Sequence, residues 1–361
     1  MLVAISVFSV LGLLLVTMLR RVLDAWHTGD EGREVIESAR RVTGQLSADL
    51  ASAFTQKNAA EQRRDIVMYC DKDTNGRQRL MFVRTMGDEL KDVRTRDGGT
   101  ASAASGQVGY YTGKADAAAL RALGGLAEVC YAIGSESRGS FLYRALRAPI
   151  GHAGSLFSPD ALDTDSELEA AGQLLSESVL HLGYEFYTRV GTAEGRWTDR
   201  WDSTRGVLRD FILFRDGSLD DPSDDVWPWS VRIELVLRRG ARERMPTLQK
   251  AIAQADRTIE VSDTRGMPDP TNGPAYCRVE DEWIEYSSFD AQVINVKTRG
   301  ARGTKARDHG LQAKRVVRER VVAADGSSAI ADVTRFEPVR AEWGETFRAV
   351  RDLPVVGDSR R

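Results

Sequence analysis

The chain has few of the residues that build metal and redox sites. Its 361 residues include only three cysteines, Cys70, Cys130 and Cys277. Because no Cys-x-x-Cys pair occurs, a zinc site or a redox motif has little support. Cys70 and Cys130 lie in strand-like runs and could form a disulfide if those strands are neighbours. The other interpretation is that all three thiols are buried in apolar surroundings.

The sequence also lacks the short motifs of common enzymes. It contains no His-Glu-x-x-His helix, no Gly-x-Ser-x-Gly turn, no P-loop and no Gly-x-Gly-x-x-Gly after a strand. Its four histidines, at 27, 152, 181 and 309, do not stand at metal-ligand spacings. We therefore predict no catalytic residue, no cofactor and no metal ion. A catalytic triad can still escape this search, because its members need to be adjacent only in space.

The charges are nearly balanced, with a formal net charge of −3. The chain as a whole is therefore not built to bind nucleic acid or anionic lipid. One basic segment, from Lys297 to Arg320, carries nine lysines and arginines against Asp308 and Glu319. No aromatic residues for base stacking lie within it, so we expect a solvated face or a contact with acidic partner surfaces, and no nucleic acid.

Two acidic segments could in principle hold a hard cation. Asp71 to Gly76 matches the first half of a calcium loop, but the twelfth position, which should be glutamate, is Phe82. An Asn-Gly hairpin turn is the simpler interpretation. Asp216 to Asp225 lacks calcium-loop spacing and is typical of a solvated acidic loop.

The most distinctive feature is the N-terminus, where residues Met1 to Leu19 contain neither a charge nor a proline. A helix of this length would span roughly 28 Å, close to the thickness of the bilayer hydrocarbon core. Arg20 and Arg21 follow, without a basic start or a small-residue cleavage site as in a signal peptide. We therefore predict a transmembrane helix over residues 1–19.

Helical periodicity continues beyond Arg21. Apolar residues recur every three or four positions from Val35 to Phe54, which predicts an amphipathic helix that continues the first one, with a break near Gly29 to Gly32. After Asp65 the pattern changes to the alternation of β-strands, beginning with Ile66, Met68 and Cys70.

The run from Met1 to Leu14 resembles the start of type IV pilins and of the pseudopilins of type II secretion. In that family the run follows a basic leader and a Gly-Phe-Thr-Leu-Ile-Glu segment, which are absent here. We expect Met1 to be an internal methionine of that segment, so that the prepilin cleavage site and the methylated phenylalanine would lie upstream.

An ordered set of motifs resembles one branch, the J-type minor pseudopilins, over roughly residues 1 to 240. It comprises Asp49-Leu50, Val129-Cys130-Tyr131, Leu142-Tyr143-Arg144, a tyrosine strand (Tyr184 to Tyr187), Trp197 to Trp201, and Pro228 to Leu235. The other interpretation is an unrelated α+β domain with tryptophans in its core.

A further segment is additional to a typical J-type subunit. Glu282-Trp283-Ile284, Arg299-Gly300 and His309-Gly310 resemble parts of a small β-module found in phage and secreted bacterial proteins. No catalytic role follows from this resemblance.

These observations predict an α+β fold, in which a long N-terminal helix packs on antiparallel sheets in the manner of pilins, with an extra small β-module. The expected divisions are a transmembrane helix at 1–19, an amphipathic helix at 20–55, a pseudopilin-like β-domain at 56–240, a linker at 241–257, the inserted module at 258–322 and a C-terminal tail at 323–361.

The resemblance implies a minor pseudopilin, a non-enzymatic subunit at the tip of the secretion pseudopilus that helps to initiate assembly. Its partners would be the I-type and K-type minor subunits and the major pseudopilin, with inner-membrane lipid before assembly. The chain would be a single-pass inner-membrane protein with its bulk in the periplasm. The predicted assembly face consists of Val3, Ile5, Val7, Phe8, Val10, Leu11, Leu14 and Leu15.

Two alternatives remain open at this point. The same start would suit a minor pilin of a type IV pilus or competence system. A membrane-tethered extracytoplasmic enzyme or binding protein would need no pilin leader, and its body would be active as a soluble domain starting near Asp30.

Overall fold

In the computed structural model, one long helix and seventeen strands make up the regular structure of the described residues, apart from short helical turns. The described residues are 2–54, 67–72, 76–85, 126–134, 140–147, 150, 156–157, 168, 172–188, 195–203, 227–322 and 328–353. At 2–11, 13–14, 24–25, 27–28, 315–322 and 328–332 the description covers the backbone alone.

The helix α1 (Leu2–Ala51) is continuous for 50 residues. The predicted break near Gly29 to Gly32 does not occur, since both glycines keep helical backbone geometry. Beyond Glu34, apolar residues at helical spacing are buried in the main core: Val35, Ala39, Val42, Leu46 and Leu50. The preceding part of the helix carries exposed apolar side chains instead.

Two antiparallel sheets form the body. Sheet 1 has six strands, in the spatial order β5 (Gly172–Ser176), β4 (Leu142–Arg147), β3 (Leu126–Ile133), β2 (Gln78–Thr85), β1 (Met68–Lys72) and β8 (Trp201–Asp202). Sheet 2 has four strands, in the order β17 (Gly344–Asp352), β9 (Ser230–Arg238), β6 (Val179–Thr188) and β7 (Arg196–Thr198). Both sheets contribute to one apolar core, which burial of side chains such as Phe82, Tyr184 and Trp201 stabilises.

A second unit lies between β9 and β17 along the chain. Its five-stranded sheet has the order β10 (Thr258–Glu260), β13 (Val293–Ala301), β12 (Glu282–Phe289), β11 (Ala275–Val279) and β16 (Ala341–Glu342). This module sheet encloses a separate apolar cluster that includes Ile259, Cys277, Ile284 and Ile294. A two-stranded ribbon, β14 (Gln312–Val322) with β15 (Ser328–Pro338), extends from it.

The expected α+β class is wrong, because the molecule is mainly β. Antiparallel strands form four sheets in the described part of the chain, and they supply most of both cores. The segment 323–361, which was expected to be a C-terminal tail, includes β15, β16 and β17, and β17 pairs with β9 along its whole length.

The predicted transmembrane helix at 1–19 is also wrong, and so is the single-pass inner-membrane and periplasmic localisation that depended on it. Among the residues that the structure describes, no helix combines the length and the apolar character needed to cross a bilayer.

The three cysteines are free and buried. A disulfide between Cys70 and Cys130 does not form, because β2 lies between their strands β1 and β3. Burial raises the pKa of Cys130 and of Cys277 to about 12, so both thiols stay protonated at neutral pH.

Candidate functional site

An exposed apolar strip runs along α1 between residues 15 and 26. Leu15 is 66% exposed, Met18 70% and Trp26 76%. The strip consists of Leu15, Val16, Met18, Leu19, Val22, Leu23 and Trp26. Positions three and four apart on a helix share a face, so Leu15, Leu19, Val22 and Trp26 form one line along it. Contiguous exposed apolar surface of this kind is typical of a protein interaction site.

The eight residues predicted as the assembly face all lie on α1. Leu15 is the one whose side chain is described, and it belongs to the apolar strip. The side chains of Val3, Ile5, Val7, Phe8, Val10, Leu11 and Leu14 lie outside the described residues. The sequence prediction therefore did not include the strip residues from Met18 to Trp26. The sequence signal for these residues was the apolar periodicity that continues past Arg20 and Arg21.

The opposite end of α1 is held by a buried carboxylate, Asp49. Arg144 donates to it twice, from Nε to Oδ2 at 2.6 Å and from Nη2 to Oδ1 at 3.0 Å. The hydroxyl of Tyr131 donates to Oδ2 at 2.5 Å, and Arg84 also donates to Oδ1. These three donors come from β4, β3 and β2, so Asp49 ties the helix to the middle of sheet 1.

The electrostatics of this cluster favour the charged form of Asp49. Burial alone would raise the pKa of Asp49, but the hydrogen bonds from Arg144 and Tyr131 and the positive charges nearby outweigh it, and the pKa lies below its usual value. Burial and the Asp49 charge together raise the pKa of Tyr131 far beyond the physiological range, so Tyr131 remains a donor.

The Asp49 cluster brings together three motifs that lie far apart in sequence. Asp49, Tyr131 and Arg144 are the polar members of the Asp-Leu, Val-x-Tyr and Leu-Tyr-Arg motifs, and all three meet at one carboxylate. Sequence reasoning missed Arg84, whose only signal was a charged residue directly after the apolar run Leu80 to Val83 of β2. The motifs therefore form a structural anchor for α1.

The remaining motifs of the resemblance lie in the body. Trp201 is buried and packs against Phe186, with their ring centroids 5.7 Å apart. Trp197 lies near the surface, where it contacts Tyr187 and supports the Arg232 guanidinium at 4.1 Å. These residues stabilise one end of sheet 2.

A second buried ionic cluster lies in the module around Glu282. Arg299 donates to both of its carboxylate oxygens, at 2.6 and 2.8 Å. His309 lies between two carboxylates, with Nε2 2.8 Å from Glu282 and Nδ1 2.6 Å from Glu280. Glu280 occupies a hairpin turn with a positive φ of 52°, which is uncommon for a residue with a side chain.

The pKa values of Glu282 and His309 are shifted in opposite directions from their usual values. Burial would raise the pKa of Glu282, but hydrogen bonds from Arg299 and His309 outweigh it and lower the value to about 2. Burial would lower the pKa of His309, but its bonds to Glu280 and Glu282 raise it. The charged side chains of this cluster therefore link β12, β13 and the segment before β14.

A third cluster joins the module to the body. Glu342 of the module accepts from Arg238 at 2.9 Å and from Arg242 at 2.9 Å, and Arg278 lies 3.8 Å away. Burial would raise the pKa of Glu342, but the three arginine charges lower it to about 2. Beside this cluster, Trp283 packs against Leu180 and Val236 of the body.

Little in the described part of the chain resembles a catalytic centre. No group of three or more possible metal ligands occurs among the described residues. His181 is buried against Trp283, with their ring centroids 5.7 Å apart, and burial lowers its pKa well below the usual value, so it is neutral. The acidic run Asp216 to Asp225 and His152 lie outside the described residues, and so do the middle residues of the Asp71 to Gly76 turn.

Two open clefts lie where α1, the body and the module meet. The larger, of about 990 Å³, is lined by residues of the segment 239–247 and of the module, including Arg265 and Trp343. The smaller, of about 610 Å³, runs between α1 and β5 and is rich in carboxylates. Both clefts are open to solvent, which suits the docking of another chain better than the enclosure of a small ligand.

No family model matches this sequence, and no curated protein is significantly similar to it.

Proposed function

We propose that this protein is a minor pseudopilin, a structural subunit at the tip of a type II secretion pseudopilus that helps to initiate filament assembly. The observation that carries the proposal is the apolar strip of α1. One half of a 50-residue helix is built into the body, whereas the half before it presents exposed leucines, a methionine and a tryptophan.

The physical argument concerns the cost of leaving this strip in water. Burying apolar surface contributes about 25 cal/mol per Å², so a row of exposed leucine, methionine and tryptophan side chains favours association with a matching surface. Helices of neighbouring subunits offer such a surface, because apolar faces of parallel helices can pack together. The Asp49 cluster would hold the helix in a fixed direction relative to the body, so that assembled subunits share one geometry.

The meeting of Asp49, Tyr131 and Arg144 also supports the proposal. These residues were singled out through the resemblance to J-type minor pseudopilins, and in the fold they perform one joint task. An accidental set of short motifs has no reason to converge on one buried carboxylate. The partners would be I-type and K-type minor subunits and the major pseudopilin, and no enzymatic activity is part of the proposal.

The test is to place charges on the apolar strip of the full chain. We expect the double variant Leu15→Glu and Leu19→Glu to lose co-purification with partner subunits from native cells. The matched control, Arg40→Glu with Ala48→Glu, adds glutamates at exposed positions in the packed half of the same helix and should co-purify normally. Normal incorporation of the strip variant would refute the proposal.

Deletion of the gene separates the proposed function from its alternative. Loss of protein export, restored by the wild-type gene and not by the strip variant, would support a secretion pseudopilin. Normal export combined with loss of pili or of DNA uptake would instead support a minor pilin of a type IV pilus or competence system.

A further inference from the structure

The strand β17 is an open edge of sheet 2. Among the described strands it pairs with β9 alone, and it lies at the end of the spatial order of that sheet. It is nine residues long and is paired with β9 at every position from Gly344 to Asp352. A strand of this length with one unpaired edge offers a row of main-chain donors and acceptors to another strand.

The hydrogen-bond pattern shows which residues of β17 face the open edge. The N–H of Leu353 donates to the carbonyl oxygen of Trp229, one position beyond the last strand pair. In an antiparallel pair, opposed residues alternate between those that exchange main-chain hydrogen bonds and those that do not. The main-chain groups of Asp352, Val350 and Arg348 therefore point away from β9 and towards the open edge.

The side chains of these three residues lie together on one face of sheet 2, because they stand two positions apart. All three are exposed: the side chain of Arg348 to 67%, Val350 to 49%, and Asp352 as well. The alternate residue Arg351 donates to Ser47 of α1, so the helix lies on the opposite face. The edge therefore presents a cation, an apolar side chain and an anion in a row.

Both charged residues keep the capacity to bind a further partner. Arg348 donates from Nε to Oε2 of Glu234 at 2.9 Å, and Asp352 accepts from the hydroxyl of Ser230 through Oδ1. The Nη atoms of Arg348 and Oδ2 of Asp352 make no hydrogen bond to a described residue. These atoms are therefore available to an added strand.

The sequence of this edge is self-complementary in one antiparallel register. With Val350 of one copy opposite Val350 of a second copy, two-fold symmetry places Arg348 of each copy opposite Asp352 of the other. Opposite charges and apolar side chains at directly opposed positions both stabilise a strand pair. A two-fold axis at Arg348 or at Asp352 would instead oppose like charges. The register centred on Val350 is also one in which opposed residues can exchange main-chain hydrogen bonds, because those groups face the edge in both copies.

We propose that β17 pairs with β17 of a second copy of this chain, with Val350 at the two-fold axis, so that the two copies share one continuous sheet. The complementarity of the edge to itself selects a second copy as the partner. The contact is isologous, so it closes with two copies. It goes beyond the proposed function and does not depend on it, because no residue of the apolar strip takes part.

Cysteine cross-linking tests the register. The full chain carries Leu15→Glu and Leu19→Glu in every sample, to remove association through the apolar strip, and its native cysteines are buried. We expect Val350→Cys to give a disulfide-linked dimer on mild oxidation, because opposed residues that exchange hydrogen bonds lie about 5.5 Å apart at Cα, which suits a disulfide. The matched control is Thr346→Cys, exposed on the same face of β17. Its two copies would lie roughly 27 Å apart, so it should not cross-link.

Charge reversal tests the ion pairs. We expect Arg348→Glu and Asp352→Lys, each alone, to weaken self-association at least about tenfold, since each dimer then opposes like charges twice. An equal mixture of the two variants should restore association, because one supplies two carboxylates and the other two cations. Sedimentation velocity measures association, and circular dichroism verifies folding. Lys250→Glu and Glu260→Lys, which reverse exposed charges of the module, are the controls and should associate normally.

Three outcomes would overturn the inference. One is a chain with wild-type β17 that stays monomeric at every concentration. Another is cross-linking of Thr346→Cys to the same extent as Val350→Cys, which would indicate random collision. The third is a pair of folded reversed variants that associate as the unreversed chain does, or whose mixture fails to associate. Should a reversed variant not fold, the comparison of the two cysteine variants still decides.

Discussion

Asp49 stands where an isolated negative charge would be unfavourable. It lies in the last turn of α1, whose dipole presents partial negative charge, and it is fully buried. Two arginines and a tyrosine compensate for both effects. The cluster is therefore a matched set, in which removing one member leaves the others buried without their partner.

We expect Asp49→Asn to reduce the free energy of unfolding by about 3–5 kcal/mol, because Arg84 and Arg144 would remain buried without a counter-charge. Urea unfolding followed by circular dichroism measures the change. Asp30→Asn on the exposed face of the same helix is the control and should stay within about 0.5 kcal/mol of the wild type. A loss of less than about 1 kcal/mol for Asp49→Asn would contradict the anchoring role.

The pH dependence of the module follows from His309. Its pKa is raised in the folded state by Glu280 and Glu282, so its protonated form contributes stability. That contribution is fully present below the unfolded pKa of about 6.5 and is lost as the pH rises through the higher folded pKa. Glu282 has the opposite pH dependence, since its pKa is lowered in the folded state. Its contribution to stability is lost as the pH falls towards its folded pKa of about 2.

We therefore expect the unfolding free energy of the wild type to decline between about pH 6.5 and the folded pKa of His309, and His309→Gln to remove this decline. Chemical unfolding at several pH values measures it, with tryptophan fluorescence as the signal. The control is His181→Gln, since His181 is already neutral in the fold. Equal pH slopes for wild type and His309→Gln would contradict the prediction.

At the scale of elements, α1 has two halves with different surroundings. The half after Glu34 is fixed by core contacts, whereas the described apolar side chains between residues 15 and 26 are exposed. Helical stability in proteins comes mostly from packing of an apolar face. The N-terminal half should therefore be the less protected of the two until it associates with a partner.

Two glycines of α1 test this difference. Neither Gly29 nor Gly44 has atoms that a new Cβ would meet, so alanine should fit at both positions. Each change should favour the helix by about 0.5–1 kcal/mol. We expect Gly44→Ala to raise the free energy of global unfolding, and Gly29→Ala mainly to slow amide hydrogen exchange between residues 15 and 28. Equal effects on both readouts would show that the two halves unfold together.

The sequence predicted individual elements better than their assembly. The long helical periodicity and the alternation in Val129 to Tyr131, in Leu142 to Arg144 and in Val231 to Leu235 all lie in regular elements at those positions. The mainly β class was missed because Gly344 to Asp352 has a mixed pattern, GETFRAVRD, and becomes a strand only by pairing with β9. Such non-local pairing leaves no local signal.

For the candidate site residues too, the sequence predicted local features better than contacts between elements. The spacing of the apolar residues in the strip could be anticipated, since helical periodicity is a local property. Their exposure could not, because it depends on what packs against the helix. Neither the convergence of Arg84 and Arg144 on Asp49 nor the placement of His309 between Glu280 and Glu282 could be anticipated. These contacts depend on strand register, which a single sequence does not specify.

At the scale of the whole molecule, the module interrupts a simple hairpin. Arg238 at the end of β9 is the direct partner of Gly344 at the start of β17, so the chain leaves the body and returns at one point. Each unit has its own apolar cluster, and the Trp283 contact and the Glu342 cluster join them. All strands of sheets 1 and 2 therefore belong to the body, and none of them comes from the module.

This topology predicts that the module can be removed. We expect a chain in which residues 239–343 are replaced by Asn-Gly to fold, because a two-residue turn of this type suits an antiparallel pair such as Arg238 and Gly344. Leu180 and Val236 would lose their cover, so Leu180→Thr with Val236→Thr belongs in the shortened chain to limit aggregation. Gly344 must be kept, because a Cβ there would lie 2.0 Å from the carbonyl oxygen of Leu237.

Circular dichroism and urea unfolding measure the outcome, which should be a single cooperative transition for the shortened body. The control is the full-length chain with the same two threonine substitutions, which separates the effect of the substitutions from that of the deletion. If the control folds and the shortened body does not, the module is required for folding. The body would then be one part of a single cooperative unit, and the Glu342 cluster and the Trp283 contact would be the first places to look for that coupling.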